Sequence, residues 1–204
     1  NLGDNFVQEG LAYRITPFNT KAPGAKNFDT EKTYNNVMNR FKWGGLDKPG
    51  LYIDETVMRM CYTHRHLLAQ LAMQLIAEGQ NAKAEKVLRK AEKVLPDYNV
   101  PYTFMSGAAD MVRAYALIGK KADATRILTK VWADAKSYAD YYLQLTGSRF
   151  VMSQNDVLRQ LYIMQNIADM TQACDKNLAN QRLKTVNALY AVYQAKGGTP
   201  YQGE

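Results

Sequence analysis

The stretch LLAQLAMQLIAEGQNAKAEKVLRKAEKVLP, running from Leu67 to Pro96, decides the fold. Val57, Cys61, His64, Leu68, Leu71 and Leu75 step by three or four residues, so they share one face of a helix. Asp54 is placed to cap its start. Gly79 is placed to end it, because glycine takes the positive φ of a tight helix stop at no steric cost. Asn81 opens a partner helix with Ala84, Val87, Leu88, Ala91 and Leu95 on its apolar side, and Pro96 closes it. After the loop from Asp97 to Pro101 the pattern returns: Met111, Tyr115 and Ile118 lead to Gly119, then Ala124, Leu128 and Val131 follow. Setting Gly79 on Gly119 gives a period of 40 residues.

At these spacings the two hairpins, 65–96 and 105–136, resemble tetratricopeptide repeats. The first copy carries Leu68, Leu71, Ala72, Leu75, Gly79, Ala84, Leu88, Ala91 and Pro96; the second carries Ala108, Met111, Val112, Tyr115, Gly119, Ala124, Leu128 and Val131. Val112 stands where a small residue is expected, and Lys136 where the family has Pro. Two repeats are fewer than the three a solenoid normally needs, so flanking helices are expected to cover the stack. The alternative is a generic antiparallel helical bundle. The resemblance implies a groove along the first helix of each hairpin. The matching positions are His66, Ala69, Met73, Ile76 and Ala77, then Ser106, Ala109, Arg113, Ala116 and Leu117. An apolar groove of this kind is rarely left open, so residues 1–52 are expected to fill part of it.

The expected fold class is all-α: about seven helices in tetratricopeptide-like antiparallel hairpins, with an irregular N-terminal arm. Residues 1–52 form that arm and a first helix, 53–136 the hairpins, 137–196 capping helices and 197–204 a loose tail. Within the arm, Leu11, Tyr13 and Ile15 alternate with polar neighbours, a strand period. Asp29 is a candidate N-cap for the first helix, whose stripe is Tyr34, Val37, Met38 and Phe41, with Gly44 and Gly45 as the stop. Ser137 with Asp140, and Ser153 with Asp156, fit the capping-box spacing. Phe6, Leu11, Tyr13, Ile15, Phe18 and Trp43 are apolar enough that the arm is expected to bury them against Met73 and Ile76.

The chain has 204 residues, 47% of them apolar and 22% charged, which excludes a disordered chain. The net charge is +7, spread over both halves, with no basic tail to mark a nucleic-acid binder. Lys83, Lys86, Lys90 and Lys93 form one basic helix face, read as solvated. Cys61 and Cys174 lie in no C-x-x-C pair, so no metal is expected. His64 and His66 sit at i,i+2 and point to different helix faces, so they cannot share a metal as an i,i+4 pair could. No nucleophile elbow, zinc-protease motif or phosphate loop occurs, and no catalytic residue or cofactor is expected.

One set of segments points to a particular family. Asn1-Leu2-Gly3-Asp4-Asn5-Phe6 leads into Gln8-Glu9-Gly10-Leu11-Ala12-Tyr13-Arg14 and Ile15-Thr16-Pro17. Later come Thr33 to Met38, Phe41-Lys42-Trp43-Gly44-Gly45, Asp54-Glu55, Arg59 to Arg65, and Tyr98-Asn99-Val100-Pro101-Tyr102. Together, over residues 1 to about 145, these resemble the carboxy-terminal part of bacterial multi-pass membrane proteins whose amino-terminal region is similar to protein O-mannosyltransferases, domain-of-unknown-function family 2723. The resemblance implies a soluble domain of a longer, membrane-anchored bacterial protein, on the periplasmic side, with the glycosyltransferase-like portion upstream. It carries over no catalytic residue.

The expected function is therefore a non-catalytic helical-repeat interaction or scaffold domain. Its expected partner is a protein or peptide, the membrane part of its own parent chain among the candidates; nucleic acid is not expected. The alternative is a carbohydrate-binding or enzymatic domain built on Trp43, Tyr62 and Arg65. The candidate binding residues are Glu9, Arg14, Trp43, Tyr62, Arg65, Met73 and Arg113, with Glu9, Arg14, Tyr62 and Arg65 lining a shallow site beside the arm. A plain reading remains open, in which these polar residues only pair with one another as scaffold.

Overall fold

Residues 2–199 are described in a computed structural model. Among them the chain is all-α, with eight α-helices and one two-stranded sheet in the N-terminal arm. Contacts divide it into two compact units: residues 1–101 with 113–118, and residues 102–112 with 119–204.

The first unit opens with strands β1 (Phe6–Gln8) and β2 (Tyr13–Ile15), paired antiparallel with Val7 opposite Arg14. Helix α1 (Thr30–Asn35) starts where Asp29 accepts the Lys32 N–H, the cap expected from the sequence. Its continuation, residues 36–40, is a π-turn in which the Asn36 carbonyl accepts the Phe41 N–H at 2.9 Å. Helix α2 (Glu55–Ala77) is capped by Asp54, whose Oδ1 accepts the N–H groups of Thr56 and Val57. Gly79, at φ +75°, turns the chain into α3 (Asn81–Val94). Because only three residues connect them, α2 and α3 pack antiparallel. Their shared face is the sequence stripe: Leu68, Leu71, Leu75, Ala84, Leu88 and Ala91 are fully buried. Each buried Leu contributes about 1.5–3 kcal/mol.

Helix α4 (Ala108–Leu117) contributes residues to both units. In the second unit α5 (Lys121–Gln144) packs on α7 (Gln154–Gln172), which packs on α8 (Lys176–Ala195), with the short α6 (Gly147–Met152) between α5 and α7. Leu143, Phe150, Val157, Leu161 and Tyr193 form its core cluster.

Several expectations are corrected. Ser137 and Asp140 start no helix: Ala135, Ala139 and Leu143 extend the buried stripe of α5 by steps of four, and Lys136 pairs with Asp140 at 2.6 Å. Ser153 sits at the start of α7, but its side chain makes no capping bond. The tail is tied down as far as Thr199, whose carbonyl accepts the Tyr193 hydroxyl at 2.7 Å; residues 200–204 lie outside the described ones. Cys61 is buried and Cys174 half-buried, both as free thiols, and burial pushes both thiols up.

The largest correction concerns the arm. Leu11, Tyr13, Ile15 and Phe18 are 44%, 62%, 63% and 74% exposed, not packed on α2. Strand geometry is the cause. Val7 shares its face of the hairpin with Arg14 and is buried, so Phe6, Tyr13 and Ile15 lie on the opposite face. Phe6 and Tyr13 meet edge to face at 6.3 Å, a contact within the hairpin itself. The arm is anchored instead by buried Phe28 and Val37 and by polar tethers such as Asn99 Nδ2 to the Leu46 and Lys48 carbonyls.

Candidate functional site

The hairpin, the start of α1 and the end of α2 enclose a cleft of about 350 Å³. Its floor is apolar, with buried Val7 and Phe28. Its rim is charged: Arg14, Lys26, Asp29, Glu31 and Glu78. Three carboxylates hold the surrounding elements together. Glu9, after β1, takes Arg14 Nε at 2.5 Å and is also bridged by Lys32 of α1. Glu78, after α2, accepts from Lys26 Nζ at 3.0 Å and from Thr30 Oγ1 at 2.9 Å. Glu31 accepts from Lys83 Nζ of α3 at 2.8 Å.

These contacts set the protonation states. Lys32 and then Arg14 hold Glu9 below the ordinary value of 4.5. Lys83 does so for Glu31, and Lys26 for Glu78. All three are ionised at neutral pH and already occupied by cations. They therefore suit binding and bracing better than proton donation. A folded pKa below the unfolded one means the folded state gives up these protons more readily. The stabilisation is complete above pH 4.5 and is lost as pH falls through the depressed folded values. The arm is accordingly expected to loosen below pH 4.5 before α2 and α3 melt, seen as earlier amide exchange in residues 6–36 than in residues 61–91 on acidification. Simultaneous exchange of both segments would contradict it.

The structure brings only some of the sequence candidates together. Glu9 and Arg14 form an ion pair at the cleft. Trp43 packs against Phe41 and edge-on to His64, at 5.9 and 5.8 Å, and its buried Nε1 has no hydrogen-bond partner. His64 Nδ1 faces the Met60 carbonyl at 2.6 Å, a local helix contact. Tyr62 is half-buried on α2. Met73 is half-buried on α2, and Arg113 is exposed on α4.

Arg65 corrects the site as first drawn. It is fully buried, and its guanidinium donates to the Leu95 and Pro101 carbonyls at 3.1 Å each and also to that of Val100. It closes the loop after α3 and faces no solvent. The signal was legible: Arg65 falls between Cys61 and Leu68 on the apolar stripe. A long cation on a buried face needs acceptors, and three loop carbonyls supply them.

No group of three or more His, Cys, Asp or Glu side chains is arranged to hold a metal among the described residues. No helix there is long and apolar enough to cross a membrane. In comparisons with known proteins, the chain matches no family model, no curated protein and no solved structure.

Proposed function

We propose that this chain is a non-catalytic helical-repeat interaction domain, the extramembrane part of a membrane glycosyltransferase-like protein on its periplasmic side, which contacts an acceptor protein or partner. The observation that carries an interaction role is the outer face of the hairpin. Leu11, Tyr13, Ile15 and Phe18 place large apolar side chains in water within eight residues of sequence. Among the described residues β2 pairs only with β1, so its other edge is open. An open edge with exposed apolar side chains is a template for an added strand, and an apolar patch rimmed by charge marks a contact surface. The membrane setting and the glycosyltransferase-like parent rest on the sequence resemblance of residues 1–145. The carbohydrate or enzymatic reading on Trp43, Tyr62 and Arg65 has lost its arginine to the α3 loop.

The test is a photo-crosslinking amino acid at Tyr13 or Ile15 in the full-length parent protein in cells. A discrete product is expected, to one partner or to the parent's membrane part, and it should be reduced at least fivefold in an Ile15→Asp background. The same label at exposed Lys184 of α8 should give none. Equal labelling from all positions, or no product from the hairpin, would remove the contact role.

A further inference from the structure

The register of the arm hairpin fixes which of its peptide groups are already used. The Glu9 N–H donates to the Ala12 carbonyl at 2.9 Å, and the Thr16 N–H to the Asn5 carbonyl at 2.8 Å. The Val7–Arg14 pair lies midway between these two bonds. Bonded pairs recur at every second residue of an antiparallel ladder, so Ala12, Arg14 and Thr16 turn their peptide groups towards β1. Tyr13 and Ile15 turn theirs the other way, to the open edge of β2. Neither makes a backbone hydrogen bond on that edge among the described residues. The outer edge of β1 is covered by the chain itself: the Gln8 N–H donates to the Asn27 carbonyl at 2.8 Å, and the Gln8 carbonyl accepts the Asp29 N–H at 2.9 Å. Pro17 has no N–H to offer, so the open edge stops there.

The two faces beside this edge differ in chemistry. Tyr13 and Ile15 expose large apolar side chains on the outer face. Arg14 stands on the inner face at the rim of the 350 Å³ cleft, with its side chain 53% exposed. Glu9 holds its Nε, and its terminal nitrogens make no hydrogen bond among the described residues. Glu9 itself is also neutralised by Lys32. A strand added antiparallel to β2 bonds to Tyr13 and Ile15 and sets its middle residue in the closer, non-hydrogen-bonded pair with Arg14. A carboxylate at that position meets the unused side of the guanidinium. A second copy of this chain fits worse. The register that aligns residues 13–15 of two copies sets Arg14 against Arg14, and like charges directly opposite are destabilising.

We propose, building on the contact role of the hairpin given above, that its occupant is an extended peptide segment of a partner protein, added antiparallel to β2. The segment carries an acidic residue opposite Arg14. The residues on either side of it are β-branched or aromatic, packing on Tyr13 and Ile15. Main-chain bonds to Tyr13 and Ile15 supply affinity, and the acidic residue sets register and specificity.

The probe is a capped peptide of about nine residues, made of threonine and valine with one central glutamate flanked by valines. It is titrated into the isotope-labelled 204-residue chain and followed by amide NMR. Saturable shifts are expected in residues 11–18, with exchange at the Tyr13 and Ile15 amides slowed at least fivefold. The Arg14 amide, already turned to β1, should change little. Methylating the two valine nitrogens beside the glutamate should abolish binding, and a central lysine should weaken it at least fivefold. In Arg14→Gln the glutamate and lysine peptides should bind within twofold of each other; the peptide variants test the same contact with the protein unaltered. Failure of the glutamate peptide to bind, or binding that survives methylation, would overturn the added strand. Either result leaves the contact role standing if the crosslinked product from Tyr13 or Ile15 still forms. Slowed exchange at Tyr13 and Ile15 that rises with protein concentration, without peptide, assigns the edge to a second copy and also overturns the proposal.

Discussion

Replacing Arg65 with Met is expected to destabilise the first unit by about 3–5 kcal/mol, as a lower urea midpoint with little change in slope. Arg65 has no exposed surface, and its two terminal nitrogens reach the carbonyls of Leu95, Val100 and Pro101. Methionine fills the space but donates nothing, so carbonyls in a buried loop lose their partner at about 1–3 kcal/mol each. Arg65→Lys should recover only part of the loss, because a single ammonium cannot reproduce the planar fork. The loop is also where Asn99 and Tyr98 hold the carbonyls of Leu46, Lys48 and Asp47, so the arm should loosen together with it. A midpoint shift equivalent to under about 0.5 kcal/mol, the ordinary range for surface changes, would show that the clamp is dispensable.

In the second unit, Tyr193→Ala should cost about 3–5 kcal/mol. Its ring is fully buried against Phe150 at 6.0 Å, and its hydroxyl donates to the Thr199 carbonyl. Burial pushes the phenol up, so it stays a neutral donor through the physiological range. The chain after α8 straps this ring closely: a Cβ added at Gly198 would lie 2.4 Å from Tyr193 Cζ. Gly198→Ala should therefore cost about 1–3 kcal/mol by overpacking. Thermal melts of both variants check this. A Gly198→Ala protein as stable as the parent would mean the strap is free to move aside.

The helices were legible because their signals are local. The stripe from Cys61 to Leu75, the glycines at 79 and 119 with φ near +75°, and the caps at Asp29 and Asp54 each depend on neighbours within a turn or two. The failed cap at Ser137 shows the limit: the same spacing occurs inside a helix when the buried stripe runs on through Ala139 to Leu143. Of the candidate site, the pairing of Glu9 with Arg14 was readable as nearby opposite charge, but its third member, Lys32, comes from α1 through the fold of the arm.

By itself the sequence determined that this is an all-α chain with a short strand-bearing arm, and where its central helices start and stop. Periodicity and capping residues are enough for that, because helix formation is decided within a few residues. Only the tertiary structure decided which face of the hairpin turns to water, that Arg65 is a loop clamp, and that buried Arg182 is met by the Thr129 hydroxyl, 53 positions away. The two faces of a short strand are equivalent until something packs on one of them. A buried cation is placed by whichever distant carbonyls and hydroxyls can satisfy it, and no local pattern in the sequence records that choice.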